Sequence, residues 1–172
     1  MFDWISQIFD KLLLVIPKMV RVTPTHDLVK WPFCREAVVC GPGIIWYWPL
    51  FTEVQLVDIR WQSTLCYLQT ITMRDNTTIT ARALCIWRVD DPITSVVDNA
   101  DYADRTAELT QSIVANLLAS VTREQLITVA ALNAALSMEC RQQMREVGIQ
   151  VKDCMFTELA VTKTIRLMGQ AE

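Results

Sequence analysis

The chain has 172 residues, enough for one domain or two small ones with a substantial hydrophobic core. Its apolar fraction of 52% is high and its charged fraction of 20% is low, so the composition excludes an intrinsically disordered chain. The formal net charge of -3 provides no positive field for a nucleic-acid backbone, and we expect no nucleic-acid partner.

Residues 2–16 are predicted to form an amphipathic helix that ends at Pro17. Such a helix is about 23 Å long, shorter than the roughly 30 Å hydrocarbon core of a bilayer, so we do not expect it to span one. The pattern leaves two interpretations open: a helix lying in one membrane leaflet, or a helix docked on this protein or a partner. Its apolar positions are Phe2, Trp4, Ile5, Ile8, Phe9, Leu12, Leu13 and Ile16.

Short β-strands are predicted after this helix. They are 19–23, 27–31 and 36–40. The turn Gly41-Pro42-Gly43 then leads into the apolar run IIWYWPLF at 44–51. This run is either a hydrophobic corner packed into the core, which is the simpler interpretation, or a second membrane contact through Trp46 and Trp48.

The strongest strand pattern is at 78–89, preceded by predicted strands at 54–61 and 67–74 and by a hairpin turn at Asp75-Asn76. One face of this strand is entirely apolar and is predicted to pack into the core. It consists of Ile79, Ala81, Ala83, Cys85, Trp87 and Val89. The other face is polar except at Leu84 and Ile86, which we expect to contact a neighbouring subunit or a partner.

Three helices and a last strand follow. Asp91-Pro92 predicts a short helix to about residue 99, and a second helix is predicted over 101–121. A third helix is predicted to end at Gly148, before a strand at 149–161. The order of strands, helices and strand predicts an α+β fold with helices packed on a sheet.

The sequence contains no residue pattern typical of an enzyme. His26 is the only histidine and lies in a predicted turn. The glycines at 41 and 43 are not followed by the Lys-Ser/Thr pair of a phosphate-binding loop. Aspartates at 90–91 and 98–104 lie at helix starts, where capping explains them better than a metal site. We therefore expect no catalytic residues, no metal and no cofactor.

The cysteines do not form a metal or redox motif, because no Cys-x-x-C pair is present. Their even number permits disulfides. Because three of them lie in apolar strand or helix patterns, we expect reduced thiols that act as small hydrophobic side chains, in a chain that faces the cytosol. The six are Cys34, Cys40, Cys66, Cys85, Cys140 and Cys154.

Five segments resemble, in the same order, motifs of one protein family. They are GPGIIWYWP at 41–49, VDIR at 57–60, QTITMRDN at 69–76, WRVDDP at 87–92 and REVGIQVKD at 145–153. Together they resemble the SPFH (band 7) family of stomatin, prohibitin and flotillin, over about residues 21–166. The sequence departs from the family pattern at Cys66-Tyr67, which lacks prolines, and at Glu146-Val147, which lacks a tryptophan.

The resemblance implies an SPFH domain of α+β class that has no catalytic centre. It also implies a membrane-associated scaffold on the cytoplasmic side, which assembles into a homo-oligomeric ring or cage and organises lipids or protein partners. Family members usually continue into a long heptad-bearing helix, whereas this sequence ends at Glu172. We therefore expect a short member without the coiled coil, whose subunit contacts lie in the globular domain.

The resemblance favours the membrane interpretation of the N-terminal helix, with Trp46 and Trp48 as a second contact. Two alternatives remain: a regulator that binds a membrane protein such as a protease, and a soluble homo-oligomer with the helix at subunit interfaces. The predicted organisation is a membrane-associating helix at 1–17, a β-rich subdomain at 18–65 and an α+β subdomain at 66–172.

Overall fold

The computed structural model describes residues 16–33, 35–97, 101–123, 126 and 128–161. The predicted helix at 2–16 lies outside these residues except for Ile16. The described strands are β1 Lys18–Val22, β2 His26–Pro32, β3 Val38–Cys40, β4 Gly43–Tyr47, β5 Thr52–Asp58, β6 Gln62–Leu65, β7 Gln69–Thr72, β8 Thr78–Val89 and β9 Ile149–Val161. The described helices are α1 Pro92–Val97, α2 Tyr102–Ser120 and α3 Val129–Arg145.

The first part of the chain forms two small antiparallel sheets. β1 pairs with β4, and β2 lies between β3 and β5. The prediction of a corner at 44–51 was wrong for its first half, because Ile44 to Tyr47 continue β4 and pair with β1. Val29 and Val57 are fully buried and belong to the main hydrophobic core, so β2 and β5 fix these sheets to the rest of the domain.

The second sheet is built around the long strand β8. β9 pairs along one side of β8, whereas β6 and β7 pair one after the other along its opposite side. The predicted apolar face is confirmed, because every second residue from Ile79 to Val89 is at most 3% exposed. Helices α2 and α3 contribute Ile113, Leu118 and Leu136 to the core that this face contacts.

Three strand predictions were too long, and the first of them, at 36–40, begins only at Val38. The predicted strand at 54–61 ends at Asp58, because the Asp58 carboxylate accepts a hydrogen bond from the Arg60 backbone N–H, a local bond that competes with strand pairing. The strand predicted at 67–74 covers only β7, which begins at Gln69 and ends at Thr72. Cys66 is buried and donates its N–H to the Ala83 carbonyl, and the exposed Tyr67 follows it. β5 pairs with β2, whereas β6 pairs with β8, so the chain passes from one sheet to the other between β5 and β6. The division into subdomains stays a prediction.

Local polar contacts confirm the predicted helix starts and the hairpin turn. Asp101 accepts hydrogen bonds from the N–H groups of Ala103 and Asp104, so it caps α2. Asp91 caps α1 in the same way. In the turn before β8, Asn76 has φ 60°, a backbone conformation that asparagine tolerates better than most residues.

Gly148 joins the ends of four elements. It follows α3 with φ 74°, as the sequence predicts for a helix-ending glycine. Its carbonyl accepts hydrogen bonds of 3.0 Å from both Asp90 and Asp91, which link β8 to α1. A Cβ atom here would lie 2.6 Å from the Asp91 carbonyl oxygen, so only glycine fits.

Polar side chains of α3 cover the edge of β9 that does not face β8. Asn133 accepts from the Phe156 N–H at 3.0 Å, and the Ser137 hydroxyl accepts from the Cys154 N–H at 3.0 Å. One α-helical turn further along, the Arg141 guanidinium donates to the carbonyls of Val151 and Lys152. We call these three side chains, spaced four residues apart, the α3 ladder. It satisfies backbone groups that would otherwise be open to pairing with another strand.

Candidate functional site

Large apolar side chains are exposed on one face of the β1–β4 sheet and in the segments that follow β2 and precede β5. Phe33 is 74% exposed and Trp46 is 61% exposed, although such side chains are normally buried. A cluster of this kind marks an interaction surface. We call it the aromatic patch, and it consists of Met19, Phe33, Ile44, Trp46, Trp48, Leu50 and Phe51.

Strand pairing explains one half of the aromatic patch. Met19 lies directly opposite Trp46, and Arg21 lies opposite Ile44. Since side chains alternate along a strand, these four share the outer face of the β1–β4 sheet, whereas Val22 points inward and is buried. The sheet therefore presents an outer face that is apolar apart from one arginine.

A tight turn forms the other half. The Phe51 N–H donates to the Trp48 carbonyl at 3.0 Å, and the Phe33 N–H donates to the Phe51 carbonyl at 2.8 Å. The rings of Phe33 and Phe51 pack edge to face, with their centroids 6.5 Å apart. The sequence indicated Trp46 and Trp48, but it did not identify Phe33, which the strand β2 brings beside the turn from a distant position in the chain.

The N-terminal segment joins the described structure beside this turn. Lys18, the first residue of β1, pairs with Tyr47, the last residue of β4. The chain therefore enters β1 next to Trp48, and Ile16, the first described residue, is exposed. The predicted contacts among the described residues, Ile16, Trp46 and Trp48, are all more than half exposed. The remaining predicted helix contacts lie outside the described residues; they are Phe2, Trp4, Ile5, Ile8, Phe9, Leu12 and Leu13.

Basic side chains lie beside the aromatic patch. The Lys30 ammonium group is 3.5 Å from the Trp46 carbonyl oxygen and donates to it. Lys18 and Arg35 are exposed near the two ends of the patch, and Arg21 lies on its apolar face. Tryptophan with lysine or arginine is the combination found where proteins meet the headgroup region of a bilayer.

Leu84 and Ile86 lie on the face of the β8 sheet that points away from the core. Leu84 lies between Leu65 of β6 and Met155 of β9, and both Leu84 and Ile86 are half-buried by their neighbours. Leu65 is exposed, and so is Leu68, three residues further along the chain. We call Leu65, Leu84, Ile86 and Met155 the outer sheet face.

An aromatic residue elsewhere on this sheet is covered by charge. The Arg88 guanidinium carbon lies 4.9 Å from the centre of the Trp61 ring, and the Lys152 ammonium nitrogen lies 5.7 Å from it. Arg88 also donates to Gln150 at 2.6 Å. Trp61 therefore differs from the tryptophans of the aromatic patch, which have no such cation over their rings among the described contacts.

A cleft of about 630 Å³ lies beside Gly148. Its lining includes the carboxylates of Asp90, Asp91 and Glu146 together with Arg141 and Arg145, a mixture of both charges. Arg141 is already bound to β9 carbonyls as part of the α3 ladder. Across the described ranges, no three His, Cys, Asp or Glu side chains are grouped as metal ligands.

His26, the only histidine, has a local structural role. Its Nδ1 lies 2.8 Å from the Thr25 hydroxyl oxygen and 3.0 Å from that of Thr23. These contacts hold the turn between β1 and β2. None of the helices in the part of the chain that the structure describes is both long and apolar enough to cross a membrane.

Comparison with known proteins identifies the family. The model of the SPFH domain / Band 7 family matches residues 19–167, so the chain belongs to this family. An uncharacterized protein of Archaeoglobus fulgidus is 24% identical over 165 residues, which are 95% of this chain and 66% of that protein. The residues that the family model matches include the aromatic patch, the outer sheet face and the α3 ladder.

Stomatins are among the other relatives. A stomatin homolog of Pyrococcus horikoshii is 25% identical over 118 residues, 68% of this chain and 44% of that protein. Stomatin-1 of Caenorhabditis elegans is 32% identical over 90 residues, 52% of this chain and 27% of that protein. The chain thus aligns with less than half the length of these two stomatins.

Proposed function

We propose that this protein is a self-assembling, membrane-associated SPFH scaffold that meets the lipid surface through its aromatic patch and its N-terminal segment. SPFH and stomatin proteins are membrane-associated, generally non-enzymatic scaffolds, which makes this the function class to test first. The observation that carries the proposal is the position of the patch, beside the point where residues 1–17 enter the domain.

The chemistry of the patch favours lipid as its partner. Indole rings are amphipathic and partition to the bilayer interface, and Trp46 and Trp48 are both exposed for this contact. Lys18, Lys30 and Arg35 add positive charge near anionic headgroups. A rigid patch on a β-sheet can insert side chains without ordering new backbone, so little conformational entropy is lost on binding.

In this proposal the N-terminal segment supplies the second part of the anchor. Its helix would lie in one leaflet through Phe2, Trp4, Ile5, Ile8, Phe9, Leu12, Leu13 and Ile16. Binding by a single short anchor is weak, but several anchors on one assembly act at high effective concentration and bind together. Self-assembly and membrane attachment would then support each other.

We further propose that the outer sheet face contributes to contacts between copies on the cytoplasmic side of the membrane. Leu84 and Ile86 lie in the middle of a sheet whose rim, at Leu65, exposes more apolar surface. A membrane protein such as a protease is the alternative partner for this face. The composition of the complex distinguishes these two partners, because self-assembly needs only copies of this chain, whereas the alternative needs a second protein in the complex.

Liposome flotation of the full chain tests the lipid contact. We expect Trp46→Ser with Trp48→Ser, and separately Phe2→Asp with Trp4→Asp and Phe9→Asp, to reduce the floated fraction at least several-fold. A matched control is Tyr67→Ser, which removes an aromatic side chain that is 80% exposed but lies away from the patch. Unchanged flotation of the patch variant, with a native circular dichroism spectrum, would exclude the patch as a lipid contact.

Sedimentation and electron microscopy of the purified protein test assembly. We expect the double variant Leu84→Asp with Ile86→Asp to shift the protein from a large particle to smaller species. The resulting monomer should float with liposomes only weakly, because it carries a single anchor. If the pair of substitutions leaves the particle size unchanged, the outer sheet face is not a subunit contact. A discrete particle without lipid, together with loss of that particle in the N-terminal variant, would support the soluble oligomer instead.

A further inference from the structure

Four cysteines converge in the core of the domain. Cys66, Cys85, Cys140 and Cys154 are each at most 3% exposed, and each comes from a different part of the chain. Two of them are in direct contact: the Sγ atoms of Cys85 on β8 and Cys154 on β9 are 2.8 Å apart. A covalent S–S bond is about 2.05 Å long, so these sulfur atoms need to move little to form one.

The strand pairing provides the backbone geometry that a disulfide needs. Cys85 and Cys154 are direct partners in the antiparallel β8–β9 pair. The N–H of Cys154 donates to the Ser137 hydroxyl oxygen on α3 rather than to β8, and the Cys154 carbonyl accepts from the same hydroxyl at 2.8 Å. The pair is therefore of the non-hydrogen-bonded kind, in which Cα atoms are about 4.5 Å apart, and disulfides span Cα distances of about 4.4 to 6.8 Å.

We propose that Cys85 and Cys154 are an oxidisable dithiol, which a small hydroperoxide such as hydrogen peroxide converts to an intramolecular disulfide. The thiolate sulfur of Cys85 attacks one peroxide oxygen, the O–O bond breaks, and the leaving hydroxide takes a proton to become water. Cys85 is then a sulfenic acid. The Cys154 sulfur attacks it, the S–O bond breaks, the S–S bond forms, and a second water leaves. Two thiols are oxidised by two electrons and one peroxide is reduced to two waters.

The contact between the two sulfurs also assigns their roles. The Cys154 thiol donates its hydrogen bond to the Cys85 sulfur, which lowers the pKa of Cys85. Hydrogen bonding to Cys140 and to Cys85, together with burial, raises the pKa of Cys154. In this proposal Cys85, whose sulfur accepts the hydrogen bond, is the attacking thiolate, and Cys154 is the resolving thiol.

The burial of Cys85 and Cys154 determines how fast they are oxidised, not which disulfide forms. Cys85 and Cys154 are fully buried, so peroxide reaches them only when the strands open locally. We expect the reaction to be slow, and Cys40, which is half-buried, to be modified sooner. Once formed, the disulfide would tie β8 to β9 across a loop that contains all three described helices.

Peptide mapping of the full-length wild-type chain tests the proposal directly. Trypsin cleaves after lysine and arginine, and each of the six cysteines then falls on its own peptide. After peroxide treatment and blocking of free thiols, we expect the peptide 83–88 linked to the peptide 153–163. The linked mass should be the sum of the two reduced peptides minus two hydrogens, and dithiothreitol should release both.

Variants then test the pairing. Cys85→Ser and Cys154→Ser should each abolish the linked species, whereas the matched controls Cys66→Ser and Cys140→Ser should retain it. Absence of the 83–88 to 153–163 link in oxidised wild type would overturn the proposal. So would a dominant link between Cys140 and Cys154. Because the wild-type map decides this without any substitution, a variant that fails to fold leaves the test intact.

Discussion

The β1–β4 sheet and the β8–β9 pair are both antiparallel and rich in apolar residues, but they expose these residues very differently. On β8, alternate side chains from Ile79 to Val89 are almost completely buried. On the β1–β4 sheet, Met19, Ile44 and Trp46 are between 58% and 63% exposed. The same class of side chain therefore packs a core in one region and forms a surface in the other.

The difference arises from what covers each sheet. Helices α2 and α3 contribute side chains to the core beside the inner face of β8, and the α3 ladder closes the edge of β9. The outer face of the β1–β4 sheet has no such cover among the described residues. The high apolar fraction of the sequence thus combines two populations, one that stabilises the fold and one that is available for binding.

The largest expected effect comes from making the same substitution in both regions. Trp87 is 1% exposed, and its indole N–H donates to the Thr64 hydroxyl at 2.9 Å. We expect Trp87→Ala to lower the free energy of unfolding by about 3–5 kcal/mol, because it leaves a cavity and an unpaired hydroxyl. Trp46→Ala should lower it by less than about 0.5 kcal/mol, as at other exposed sites.

Urea denaturation of the two variants, followed by circular dichroism, measures this contrast. Flotation of the folded fractions should show the reverse order, with Trp46→Ala the weaker membrane binder. If Trp46→Ala destabilised the protein as much as Trp87→Ala, the aromatic patch would be part of the core, and the comparison between the regions would fail.

A glycine pair provides the next largest contrast. Gly148→Ala should cost roughly 2–4 kcal/mol, because its φ of 74° is strained for alanine and the new Cβ would lie 2.6 Å from the Asp91 carbonyl oxygen. Gly41→Ala, in the first region, should be almost neutral, since nothing lies within 4 Å of its Cβ position. Thermal unfolding of both variants measures this, and similar melting temperatures would contradict the role given to Gly148.

A smaller effect is expected from the α3 ladder. Ser137→Ala removes a buried hydroxyl that accepts from the Cys154 N–H, and leaving that N–H unpaired should cost about 1–3 kcal/mol. The exposed neighbour Gln142→Ala is the matched control and should change stability by less than about 0.5 kcal/mol. Urea titration reports the stability, and light scattering reports association through the uncovered β9 edge. Equal stability of the two variants would show that the ladder contributes nothing.

The sequence predicted most of the β8–α3 region, because its signals are local and repeated. Alternation along β8, the aspartate caps and Gly148 each depend on neighbouring residues, and the structure confirms them. The break before Gln69 could not be predicted in this way. It depends on the hydrogen bond from Cys66 to Ala83, which joins residues far apart in the chain.

The candidate site was predictable only in part for the same reason. Trp46 and Trp48 belong to a conspicuous apolar run. The sequence pattern left open whether these side chains lie on a binding surface or in the core. Phe33 lies beside them only because β2 brings it there. The hydrogen bond from the Phe33 N–H to the Phe51 carbonyl is a tertiary contact, which a local pattern does not reveal. The thiol pair at Cys85 and Cys154 likewise required the register of two strands that are distant in sequence.

The smallest predicted effect concerns Asp58, the last residue of β5, where the first region meets the second. The Arg60 guanidinium hydrogen-bonds this carboxylate and lowers its pKa from 3.8 to about 2. A carboxylate whose pKa is lower in the folded state adds stability above pH 3.8, and this contribution is lost as the pH falls toward 2. The effect should be modest, because Arg60 is 60% exposed and the pair is screened by solvent. Urea titrations between pH 5 and pH 2 should show that Asp58→Asn and Arg60→Gln each flatten the same part of the stability profile, and that the double variant flattens it no further. A profile that keeps the wild-type slope in Asp58→Asn would show that the acid sensitivity arises elsewhere and that this junction does not respond to pH.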